Sequence, residues 1–126
     1  MNATTNAINW FEIPTLDLPR AQRFYEEVFS ISMHTVEMNG SQMAMFPMEP
    51  GSGKVSGSLI QGAESVPSKE GSTVYMNANP DLSTPLSKVE AAGGTVVLPK
   101  TSIGQDGFIA MIIDLDGNKV GFHSNS

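Results

Sequence analysis

Apolar and polar positions along this chain change their period in a regular order. Residues 8–14, Ile-Asn-Trp-Phe-Glu-Ile-Pro, alternate weakly between two faces, as a strand does. Trp10 and Glu12 share one face, Phe11 and Ile13 the other. From Asp17 the period lengthens. Leu18, Ala21, Tyr25 and Val28, joined by Phe24 and Phe29, make one apolar stripe at helical spacing, with Arg20, Arg23, Glu26 and Glu27 around it. Asp17 suits the helix N-cap and Pro19 the first turn, where a missing N–H costs little. Two strands, 31–38 and 42–48, follow. They meet at Asn39-Gly40, the favoured two-residue hairpin turn because both residues tolerate positive φ. Residues 49–54 read as a loop, and 55–61 as a fourth strand weakened by Gly57.

A polar connection over 62–71 leads to a second series in the same order. Residues 72–78 read as a strand. Leu82, Leu86 and Val89 mark one face of a helix that stops at Gly93-Gly94. Its start has two readings: Asp81 as the cap, or Thr84-Pro85 as cap and first position. Then come a short strand at 95–98, a loop at 99–106, a strand at 107–114, a tight turn at Asp116-Gly117-Asn118 and a last strand at 119–123. Asp17-Leu18 and Asp81-Leu82 are 64 residues apart, as are Ser30 and Gly94. The pattern is βαβββ twice. We expect one domain, with module one at about 8–61, a linker at about 62–71 and module two at about 72–124. Two such units side by side form a cup, with a ligand site where they meet.

Composition narrows the function classes. A chain of 126 residues with 40% hydrophobic content sustains one core. No apolar run approaches the roughly 20 residues needed to span a bilayer. Met1 to Asn6 lack the basic and apolar regions of a signal peptide, so the expected location is cytoplasmic. The absence of cysteine removes disulfides, thiolate metal sites and Cys nucleophiles. A net charge of −6 without a basic patch argues against nucleic acid as a partner. There is no Gly-rich phosphate loop and no nucleophile elbow.

Three stretches carry a resemblance. They are Asn9-Trp10-Phe11-Glu12-Ile13 leading to Asp17-Leu18 and Phe24-Tyr25; Val89-Glu90-Ala91-Ala92-Gly93-Gly94; and Asp114-Leu115-Asp116-Gly117-Asn118 before the terminal strand. In this order and at this spacing the chain resembles the vicinal oxygen chelate superfamily, the glyoxalase/bleomycin-resistance/dioxygenase group, over nearly its whole length. The resemblance implies an α+β fold of two βαβββ modules whose sheets curve into a half-open barrel. It also implies a small-molecule ligand and a homodimer. Metal-dependent members of that group carry their ligands on the first and last strands of each module and use a divalent cation as a Lewis acid.

Carried over residue by residue, those ligand places are empty. The first falls on Trp10, or Phe11 after a one-residue slip. The last falls on Gly121. The places between fall around Ser58 and Leu59 and around Val74 and Tyr75. We therefore expect no metal and no other cofactor. Glu12 shares the face of Trp10, and His123 that of Gly121, so parity points both into one cup with Trp10 as an aromatic wall. Tyr75, Met111 and Ser58 are the other expected ligand contacts, and Glu12 and His123 the candidate catalytic pair. Plainer readings stand beside these: Glu12 as a polar group satisfied locally, His123 as a partly exposed strand end, Tyr75 and Trp10 as core. His34 reads as a surface residue. Five of the eight methionines lie between Met33 and Met48, as core or as an adaptable surface. Lys100-Thr101-Ser102 reads either as a solvated loop or as a hold for an anion.

The function expected is that of a glyoxalase-like small-molecule binding protein without the usual metal site. The alternatives are a lyase, isomerase or dioxygenase-like enzyme using a displaced site with Glu12 and His123, or Glu12 as a general base, and an interaction module whose cup has closed.

Overall fold

The computed structural model describes all residues, 1–126. Module one contains β1 (Trp10–Pro14), α1 (Leu18–Phe29), β2 (His34–Met38), β3 (Ser41–Met45) and β4 (Ser56–Gln61). Module two contains β5 (Val74–Asn77), α2 (Ser83–Leu86), β6 (Thr95–Ser102), β7 (Phe108–Ile113) and β8 (Lys119–Ser124), with a 3-10 turn at Gly104–Asp106. Each module makes its own four-stranded sheet, ordered β1-β4-β3-β2 and β5-β8-β7-β6. The first strand runs parallel to the last, and the other pairs are antiparallel. This is βαβββ twice, an α+β fold whose two sheets are not closed into one barrel. No helix is long and apolar enough to cross a membrane.

The repeat extends to single hydrogen bonds. Gln61 at the end of β4 accepts the backbone N–H of Leu18 through Oε1 at 2.8 Å. Ser124 at the end of β8 accepts the N–H of Leu82 through Oγ at 2.9 Å. In both modules the last strand thus tethers the chain entering the helical segment, where backbone donors lack helical partners.

Local chemistry sets most element ends. Asp17 caps α1 by accepting the N–H of Arg20 at 3.1 Å. Asn39 and Gly40 take φ of 52° and 80°, and β2 pairs with β3 across them. Leu18, Ala21, Phe24, Tyr25 and Val28 form the buried stripe of α1. Burial of each large side chain there contributes about 1.5–3 kcal/mol. They pack with Ile13, Leu59 and Ala44 of module one and with Ile112, Val120 and Phe122 of module two in a single core.

Several elements depart from expectation: β3 ends at Met45 and β5 spans only Val74–Asn77, and three further departures have a local cause. The second helix is one four-residue turn, with neither Asp81 nor Thr84 as its N-cap; Leu82 holds that place and offers no side-chain cap. Asp81 instead accepts the N–H of Ser83 in a local turn, and the Ser87 hydroxyl bonds back to the Thr84 carbonyl. Ser, Thr and Asp compete with the helix for its own backbone groups. The chain then reaches Gly94 through irregular turns. Strand β6 runs on to Ser102 through Pro99, where a loop was expected, with register shifts on both sides of Leu98. Because β6 is an edge strand, a proline without a donor is tolerated. Finally, β2 begins at His34, because Glu26 Oε2 holds the Met33 N–H at 2.8 Å before the strand starts.

Candidate functional site

The modules are clamped together at one end, and a cavity lies between them at the other. The clamp is the turn Asp114-Leu115-Asp116-Gly117-Asn118 between β7 and β8. Tyr25 of α1 donates its hydroxyl to Asp114 Oδ2 at 2.8 Å. Asp116 accepts the Thr15 hydroxyl at 2.6 Å and the Leu16 N–H at 2.9 Å. Asn118 donates to the Pro14 carbonyl at 2.7 Å. Gly94 adds to the contact, with Gly93 turning the chain beside Leu115 of the clamp. Gly93 has a φ of 104°, and a Cβ on Gly94 would stand 2.9 Å from the Phe24 ring of module one. All three stretches that carry the family resemblance thus supply fastenings between modules, the first through Phe24 and Tyr25.

Burial shifts the titration of this clamp. Desolvation first, and then the Asp114 charge, holds the Tyr25 phenol well above its ordinary value. Desolvation raises Asp114 in turn, opposed by hydrogen bonds from Asn118 and Tyr25.

The corresponding turn of module one, residues 46–55 between β3 and β4, fastens nothing. It reads Glu-Pro-Gly-Ser-Gly-Lys over 49–54, without the Asp and Asn that work the other clamp. Its hydrogen bonds close on itself: Ser52 N–H to the Glu49 carbonyl, Lys54 N–H to Ser52 Oγ, and Ser56 Oγ to the Phe46 and Pro47 carbonyls. A cavity of about 1080 Å³ remains between the modules at this end. Phe11, Val28, Phe29, Ile31 and Phe46 wall it from module one. Residues 72–81 wall it from module two, along the side of β5 that has no strand partner. Ile8, Val55 and Tyr75 stand at it 59%, 40% and 47% exposed, so apolar surface reaches its mouth.

Two charged side chains line the cavity, Asp81 and Lys88. Asp81 is engaged: Oδ1 accepts the Ser83 N–H at 2.8 Å and Lys100 Nζ at 2.9 Å. Those bonds, the Ser83 backbone first and then Lys100, bring its pKa down to about 2. Lys88 is half-buried. Its Nζ donates to Ser30 Oγ at 2.6 Å and has no carboxylate partner.

The expected site residues do not gather at this cavity. Tyr75 lines it; Trp10, Glu12, Ser58, Met111 and His123 do not. The parity argument itself holds. Ile13 and Phe122 are core, while Glu12, Ser58 and Met45 lie side by side on the opposite face, as do Tyr75, Gly121 and Met111. What the structure does not form among its three main cavities is one shared by Glu12, His123 and Trp10. Glu12 is exposed and borders a separate cavity of about 160 Å³ with Asn118 and Lys119. His123 Nε2 pairs with the Asp106 backbone carbonyl at 2.7 Å. Trp10 is half-buried at the start of β1, and Met111 half-buried in β7. Ser58 is fully buried, with a hydroxyl that has no hydrogen-bond partner.

The donor set at the metal places does not fit a cation. Trp10 and Gly121 offer no ligand atom, and no three His, Asp or Glu side chains cluster anywhere in the chain. The Tyr75 ring lies over Gly121; a Cβ there would stand 2.5 Å from it. The place of the last-strand ligand is therefore taken by an aromatic ring. Lys100 belongs to β6, pairs with Asp81 and covers the Phe108 ring at 4.5 Å, so it is not a free anion hold. No motif marks Phe29, Phe46 or Lys88 as a cavity residue, and Phe11 figures in the sequence only as the alternative first ligand place. The signal available was the repeat itself, because 49–54 lacks the clamp residues that 114–118 carries.

A sequence profile described as the Glyoxalase/Bleomycin resistance protein/Dioxygenase superfamily matches residues 7–122. The chain belongs to this superfamily. Solved structures share the fold of this superfamily member at low identity. TnmS3, an antibiotic binding protein from Streptomyces sp. CB03234, aligns with a TM-score of 0.63 at 19% identity, over 99% of this chain and 100% of that one. A hypothetical protein from S. aureus aligns with a TM-score of 0.64 at 21% identity, over 95% of both chains. Glyoxalase I from Zea mays aligns with a TM-score of 0.67 at 18% identity. That alignment covers 93% of this chain but only 45% of the maize enzyme, so the chain spans about half of it. No functionally curated protein matches the chain.

Proposed function

We propose that this superfamily member is a metal-independent small-molecule binding protein, and that its ligand sits in the cavity between the modules. The observation that carries the reading is that cavity. At about 1080 Å³ it is large enough for a drug-sized ligand, and aromatic and aliphatic side chains share its walls with Asn, Ser and Thr side chains and two charged groups. The likeness of fold to an antibiotic binding protein supports the same class of activity. No proton transfer is assigned to Glu12 or His123, because no main cavity brings them together. The reading is of a cytoplasmic homodimer, with the oligomeric state to be checked by sedimentation.

The test is a thermal-shift screen of small aromatic compounds, followed by titration of the hits. Val55→Trp, at the mouth of the cavity, should weaken binding. Trp10→Ala and Met111→Ala, on the opposite face of the sheets, should leave it unchanged. Hits that weaken in Trp10→Ala and not in Val55→Trp would move the site to that opposite face and reject this reading.

A further inference from the structure

We infer that the inter-module cavity selects ligands with an anionic group, such as a carboxylate, on an apolar body, and that Lys88 holds that group. This rests on the proposal that the cavity is the binding site. Of the two charged side chains that line it, Asp81 has its Oδ1 committed to Lys100 and to the Ser83 N–H. Lys88 is uncommitted. An ammonium has three donors, and Lys88 uses one, toward the Ser30 hydroxyl at 2.6 Å. It is half-buried, and no carboxylate lies within ion-pair distance. Its bond to Ser30 is solvent-exposed, so the ammonium is open to a ligand, and its attraction to an opposite charge grows as the ligand's apolar body excludes water. An anionic group entering beside Phe29 and Pro85 would take up the remaining donors. The apolar body would then lie along Phe11, Phe46 and the open side of β5.

Lys88 also has a structural use that needs no ligand. Ser30 is the C-cap of α1, and a cation near a helix C-terminus is favourable. That role and the proposed one separate cleanly in experiment. The structural role predicts a loss of stability on substitution and no change in ligand choice.

The experiment uses a matched pair, 2-naphthoate and 2-naphthamide, titrated by calorimetry against the full chain and against Lys88→Met and Lys88→Arg. The wild type should bind the acid about tenfold more tightly than the amide, the range expected of one charge-assisted hydrogen bond. Lys88→Met should remove that preference, weakening the acid about tenfold more than the amide. Lys88→Arg should keep most of it. Equal binding of acid and amide by the wild type, or an unchanged preference in Lys88→Met, would overturn the assignment while leaving the cavity as a site. Binding of neither compound, or binding of both untouched by Val55→Trp, would overturn the cavity reading and this one together.

Discussion

The Tyr25 hydroxyl reaches Asp114 across the boundary between modules, at 2.8 Å, with both side chains buried. Asp114 also accepts from Asn118 Nδ2 at 3.0 Å and from the backbone N–H groups of Asp116 and Asn118 at 2.9 and 3.0 Å. Every oxygen of this buried carboxylate is occupied, which is the condition for burying one at tolerable cost. The network couples turn formation in module two to docking against α1 of module one.

Tyr25→Phe should therefore destabilise the fold by about 1–3 kcal/mol, the cost of removing a buried hydrogen bond to a charged group. Urea denaturation checks this. Stability unchanged within error would mean that the modules are held by packing alone.

The same phenol gives an alkaline signature. Its pKa is raised in the fold by burial first and by Asp114 second. Above pH 10 the unfolded chain releases this proton while the folded chain keeps it. The stabilisation is thus full below pH 10 and is lost as pH rises beyond it. The stability difference between wild type and Tyr25→Phe should be constant from pH 7 to 9 and shrink toward pH 11. A difference that stays level would contradict the buried, neutral phenol.

At Asp81 the ranking of causes is testable. Its pKa near 2 is due first to the Ser83 backbone N–H and second to Lys100. Lys100→Met should raise the value only part of the way toward 3.8, as read from carboxyl carbon shifts in an NMR titration. A full return to 3.8 would make the lysine the main cause.

Metal should not bind at the superfamily's usual ligand places. Protein dialysed against Zn²⁺, Ni²⁺ or Fe²⁺ should hold no stoichiometric ion by elemental analysis. Gly121→Glu alone should destabilise by about 1–3 kcal/mol, because the Tyr75 ring occupies the space. Pairing it with Tyr75→Ala should recover part of that loss. One ion per wild-type chain would refute the reading of Trp10 and Gly121 as empty places.

Features written in local chemistry were legible from the sequence. The Asp17 cap, the Asn39-Gly40 turn and the α1 stripe each depend on residues a few positions apart, and the structure has all three. Strand parity was legible for the same reason: Ile13 and Phe122 are core, while Glu12 and His123 lie on the other face. Parity assigns faces but does not say whether faces of different modules meet, so it could not tell that Glu12 and His123 border no common main cavity. The length of α2 was not legible from Leu82, Leu86 and Val89, because their spacing fits a longer helix than Ser83, Thr84 and Ser87 sustain. The cavity was least legible. It exists because one turn, 114–118, reaches across the module boundary and its counterpart, 46–55, does not. That difference shows only when the two halves are laid side by side.

The most direct test of the central claim is a crystal structure of the protein soaked with the tightest aromatic hit. Ligand density is expected between Phe11, Phe46 and the open side of β5, with the polar end of the ligand toward Lys88. Density on the opposite face of the sheets, against Trp10 and Met111, would contradict the claim.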